Sequence, residues 1–173
     1  MTKRIAILAS NGFEQSELIE PRDGLRKAGF DVQVVSPKGG EIKGWKHDHW
    51  GEAVAVDVEL SDAKPEEFDA LVLPGGQMNP DVLRMDVAAV DFVRAFHSAG
   101  KPIAAICHGP WLLVESGAAK GRNVTSWPSL RTDLTNAGAK WSDAEVVVDG
   151  HVITSRKPDD IPAFIKAVVD ALR

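Results

Sequence analysis

Ile103-Ala104-Ala105-Ile106-Cys107-His108-Gly109-Pro110 is a short apolar run that stops on a cysteine, a histidine, a glycine and a proline. A run of this length is too short for a helix and reads as a strand buried on both faces. Proline suits the first position of a helix, so a helix is expected to begin near Gly109-Pro110. The segment therefore predicts a buried strand, a sharp turn at Cys107 and a following helix. A residue at such a turn is pushed out of the sheet, as in a nucleophile elbow.

Outward from this stretch, apolar β-branched runs alternate with helical patterns. Strands are expected over 4–9, Asp31–Ser36, Ala70–Leu73 and 123–125, and helices over 18–28, 86–99, 129–137 and 159–172. Gly29 and Gly100 close two of the helices, and Pro65 opens a short helical turn over 65–68. Asp149-Gly150 is expected to turn a hairpin between 145–148 and Val152–Ser155. Residues 42–58 read as an irregular excursion that ends in an alternating segment. Strands alternating with helices require crossover connections, hence an α/β fold with a mostly parallel sheet covered on both faces. The length of 173 residues fits one domain, and no repeat or linker divides residues 1–173.

Composition excludes several functions. The formal charge is −5 and no long basic run is present, which argues against a nucleic-acid or anionic-membrane surface. One cysteine cannot form an internal disulfide, and the N-terminal apolar run Ile5-Ala6-Ile7-Leu8-Ala9 is too short for a signal core or a span. A cytoplasmic location is expected. Gly39-Gly40 lacks the spacing of a phosphate loop, so no nucleotide cofactor is expected. His47-Asp48-His49 lacks further ligands at metal-site spacing, so no metal is expected, and Trp45 and Trp50 read as anchors of a loop.

A parallel sheet works at the carboxyl ends of its strands, which selects the loops 10–14, 74–81 and 107–110. A lone free cysteine is more often a small buried hydrophobe. Cys107 differs by its place at a turn where helix amides would favour the thiolate, the nucleophilic form. His108 can act as a base or, through its backbone N–H, help to bind an oxyanion. Glu14 is either a solvated residue at a helix start or a carboxyl group reaching the same cleft. Gly75 and Gly76 expose backbone N–H groups able to hold an oxyanion, although a plain turn needs the same residues.

Read together, these loops resemble the PfpI-like superfamily of intracellular cysteine peptidases, glyoxalases, deglycases and related stress proteins. The resemblance is carried by Asn11-Gly12-Phe13-Glu14 with Glu17-Leu18, Leu71-Val72-Leu73-Pro74-Gly75-Gly76 and Ala105-Ile106-Cys107-His108-Gly109-Pro110. Thr125-Ser126-Trp127-Pro128, Asn136-Ala137-Gly138-Ala139 and the segment from Asp143 to Gly150 continue it in order. It implies a flavodoxin-like three-layer sandwich with Cys107 as nucleophile and Glu14 as the carboxyl group beside the sulfur. It further implies His108 as catalytic histidine, and Gly76 and His108 as oxyanion donors. Asp81, after Pro80, would be the acid of the triad, supplied by a neighbouring subunit of a dimer or larger homo-oligomer. The implied activity is attack on a small reactive carbonyl, without glutathione, through a covalent Cys107 adduct. The alternatives are cleavage of peptides and, in another class, a redox-sensing chaperone that uses oxidation of Cys107.

Overall fold

Strands apolar on both faces need cover on both, and the central strands here meet that condition. The computed structural model describes residues Met1–Arg173. Its main sheet has 7 strands, in the order Val146–Asp149, Val152–Ser155, Ile103–Ile106, Ala70–Leu73, Arg4–Leu8, Asp31–Ser36, Val58–Glu59. Only the first pair is antiparallel; the others run parallel. Alternate residues separate two cores. Ala6, Leu8, Leu71, Leu73, Ile103 and Ala105 pack with Phe92 and Phe96 of the Val87–Ser98 helix. Ile5, Ile7, Val72, Ala104 and Ile106 face Leu18 and Leu25 of the Gln15–Lys27 helix and Phe164 of the Ile161–Leu172 helix. This is the three-layer sandwich that the sequence predicts. No helix is long and apolar enough to cross a membrane.

Three departures from the expected elements lie near the cleft. The first helix begins at Gln15, three residues before its expected start, because Phe13-Glu14 pairs in parallel with Gly44-Trp45 and leaves Glu14 as the N-cap. Residues 42–58 are largely ordered: Glu41–Lys46 and His49–Ala55 form an antiparallel hairpin. The Trp45 and Trp50 rings meet edge to face at 5.3 Å, and Trp45 Nε1 donates to the His47 carbonyl across the turn. A register shift between Lys43 and Trp45 breaks the alternation that would have announced the strand. Finally, 74–81 is not all loop, since Met78–Leu83 is a helical segment that accommodates Pro80 in its first turn.

Candidate active site

The Ile103–Ile106 strand delivers Cys107 in a left-handed backbone conformation, φ 63°, which a non-glycine residue holds only when its surroundings impose it. They do so here. Cys107 N–H donates to the Ser155 carbonyl at 3.0 Å, and Gly109 N–H closes the turn on the Ile106 carbonyl at 2.9 Å. A Cβ on Gly109 would run into the Leu73 carbonyl oxygen of the adjacent strand, so the turn can pack there only without a side chain.

The expected role of helix amides needs correction. The helix starts at Trp111, whose N–H is taken by the His108 carbonyl, and Gly109 N–H is spent within the turn. The backbone N–H groups that favour the thiolate are those of Gly76 and His108. Gly75 is not available as an oxyanion donor, because its N–H already donates to Glu17 Oε1 at 3.0 Å.

Glu17, not Glu14, is the carboxyl group placed beside the sulfur. It lies in the first turn of the Gln15–Lys27 helix on the same inward face as Leu18, Pro21 and Leu25, and is 0% exposed. The early start of that helix turns Glu17 inward and leaves Glu14 at the cap, facing the cleft. A Cβ on Gly75 would stand 2.5 Å from Glu17 Oε1, 2.7 Å from Cys107 Cβ and 2.9 Å from the His108 nitrogen. Absence of a side chain there lets the three groups converge.

Burial, reinforced by the nearby charge of Glu14, raises the Glu17 pKa to about 8, so this carboxyl holds its proton near neutral pH. Its Oε2 has no hydrogen-bond partner. Burial and the Glu17 charge push the Cys107 thiol up, while the Gly76 and His108 N–H groups pull it down. When Glu17 is protonated its charge no longer opposes the thiolate, and the carboxyl proton can instead be donated to it.

His108 Nδ1 lies 3.2 Å from Cys107 Sγ. The imidazole stacks on Trp127, with centroids 6.1 Å apart, and meets Trp111 edge to face at 5.1 Å. Burial lowers its pKa to about 4, so the ring is neutral near pH 7 and able to accept a proton. Its Nε2 is buried without a partner. Glu14 is half-buried; its N–H is held by the Gly75 carbonyl at 3.2 Å and its carboxylate accepts from Ser16 at 3.4 Å. Asp81 is exposed on the Met78–Leu83 helix and does not line this cleft.

The loops 10–14, 74–81 and 107–110 therefore do meet, around a cleft of about 980 Å³ whose walls also include Trp45, His47 and Trp127. Two contributors had no role in the sequence expectations. Glu17 sits in the apolar stripe of its helix, and that position was the available signal. Asn79 is fully buried and ties two of the loops: its Oδ1 accepts from Ser10 N–H at 2.7 Å, and its Nδ2 donates to the Pro74 carbonyl at 3.0 Å.

Known proteins match this chain over nearly its whole length. The Escherichia coli K12 protein named protein/nucleic acid deglycase 2 is 47% identical over 167 residues, which cover 95% of this chain and 94% of that one. The protein of Pyrococcus furiosus named deglycase PfpI is 44% identical over 170 residues, covering 98% and 99%. The crystal structure of Drosophila melanogaster DJ-1beta superposes with a TM-score of 0.91 at 32% identity, over 99% of this chain and 91% of that one. With the model of the DJ-1/PfpI family matching residues 3–171, the chain belongs to that family.

Proposed function

We propose that this chain is a cysteine-dependent enzyme that acts on reactive carbonyls or their adducts, in the manner of a glutathione-independent glyoxalase or deglycase. The observation that carries the reading is the pairing of a strained Cys107 with a fully buried carboxyl that keeps its proton near neutral pH. The names of the deglycase relatives support the same class.

On this reading the Cys107 thiol proton first leaves through His108 to solvent, and the thiolate attacks the aldehyde carbon of a 2-oxoaldehyde such as methylglyoxal while the C=O electron pair moves onto oxygen. The Gly76 and His108 N–H groups, no longer facing a charged sulfur, hold the developing oxyanion, which takes the Glu17 proton. His108 removes the hydrogen left on the attacked carbon, and the resulting enediol is reprotonated at the neighbouring carbon to give a thioester. Water hydrolyses the thioester and restores the thiol. The sum is methylglyoxal plus water giving lactic acid, with no external oxidant or reductant. A single cysteine that must remain a thiol suits a reducing, cytoplasmic setting.

The test is methylglyoxal consumption without glutathione, with lactate followed by proton NMR and a fluorogenic peptide run in parallel. Stoichiometric lactate is the expected result. Adduct formation without lactate, or cleavage of the peptide alone, would overturn the reading, the latter in favour of the peptidase. Silence of both substrates would favour the redox sensor.

The acid that completes His108 is proposed to come from a second copy of the chain. His108 Nε2 lacks a partner, and Asp81 stands on an exposed segment with Met78, Val82 and Met85, an apolar surface suited to a subunit contact. Asp81→Ala is expected to lower kcat by about tenfold or more while leaving the thermal midpoint unchanged. Unchanged kinetics in an oligomer shown by sedimentation would remove Asp81 from the mechanism.

A further inference from the structure

Near neutral pH the groups closest to the sulfur carry no charge, since Glu17 keeps its proton and His108 is neutral. The first charged group outward is Glu14. Its backbone is fixed on the Gly75 carbonyl, and Gly75 in turn abuts the Cys107 side chain. Its carboxylate forms no ion pair; Ser16 is its one hydrogen-bond partner. The other charges lie further out, on exposed residues. Lys46 and His47 stand on the hairpin wall, Glu20 on the facing helix, and Asp159 is paired with Lys157 at 3.7 Å. The inner cleft thus holds one partly desolvated carboxylate that forms no ion pair, with His47 on the hairpin wall the one basic group that acts on it, between walls that include Trp45 and Trp127. A carboxylate so placed is stabilised by a cation brought by the ligand.

We infer that Glu14 is a specificity-determining residue, which selects carbonyl substrates carried on an ammonium or guanidinium group and disfavours anionic 2-oxo acids. The inference deepens the proposed function by assuming that Cys107 is the reacting group, but its test does not depend on turnover.

Because the chain has 1 cysteine, charged thiol reagents have one target. The rates of Cys107 modification by trimethylammonium-ethyl methanethiosulfonate and by sulfonatoethyl methanethiosulfonate are measured, each divided by its rate with 2-mercaptoethanol. Uncharged methyl methanethiosulfonate serves as the steric reference. The normalised cation-to-anion ratio is expected to be about five to ten at low salt and to fall to roughly two or below in Glu14→Gln. In the wild type it is expected to collapse likewise in about 0.5 M salt, a measurement that needs no variant. A wild-type ratio of one or less overturns the inference, as does a ratio unchanged by Glu14→Gln, or exclusion of both charged reagents while the methyl reagent reacts. Failure of the proposed function would show separately, as absence of lactate from methylglyoxal.

Discussion

Cys107→Ala is expected to lower methylglyoxal turnover by about a thousandfold or more and to leave the thermal midpoint unchanged or slightly raised. The loss follows from removal of the only thiol in the chain. The retained fold follows from the local backbone. Cysteine and alanine carry the same Cβ, so the cost of φ 63° is present in both proteins and cancels in the comparison. The N–H bond to Ser155 belongs to the backbone and survives. What the variant gives up is packing around one sulfur, and what it gains is relief of a thiol crowded against a buried acid. Turnover assays beside circular-dichroism melts decide the matter. Activity within about tenfold of the wild type would place the nucleophile elsewhere.

Glu17→Gln is expected to separate stability from activity. The folded carboxyl has a pKa of about 8, above the ordinary value of 4.5 for such a group. Between those values the folded protein binds a proton that the unfolded chain does not, so stability falls as pH rises through that window. The full contribution is present below the unfolded value and is gone above about pH 8. At about 1.4 kcal/mol per pKa unit, the change amounts to several kcal/mol. Glutamine cannot ionise, so the variant should show a flatter midpoint between pH 5 and 9 and exceed the wild type at the alkaline end. Turnover should fall by about a hundredfold, because the amide can accept the Gly75 N–H and donate toward the sulfur but cannot move a proton. Retained alkylation of Cys107 alongside lost turnover would identify a proton-transfer defect. A wild-type midpoint that does not decline with pH would remove Glu17 as a buried acid.

The sandwich was legible because its central strands, Ala70–Leu73 and Ile103–Ile106, are apolar throughout and end on turn residues. The turn at Cys107 was legible for the same reason. The carboxyl group was not. Glu14 and Glu17 are both plausible at a helix start, and the choice depends on where the helix begins. That point is set by Phe13-Glu14 pairing with Gly44-Trp45, residues remote in sequence and read as irregular. The hairpin itself was hidden by its polar, bulged strands, which have few apolar positions to reveal a period of two. Gly75 illustrates a different limit. Its glycine was visible, but only the structure shows that its N–H is committed to Glu17.

The bond from Cys107 N–H to the Ser155 carbonyl has a consequence for the order of assembly. Ser155 belongs to Val152–Ser155, the last strand to join the parallel part of the sheet in chain order, while Glu17 comes from near the beginning. The elbow therefore closes only through contacts between distant parts of the chain, which form late in folding. During synthesis the cysteine emerges long before the strand that bends it. Until that strand docks, residue 107 is an unstrained thiol in an open chain, and the arrangement that sets it beside Glu17 and His108 arrives with the last turn of the topology.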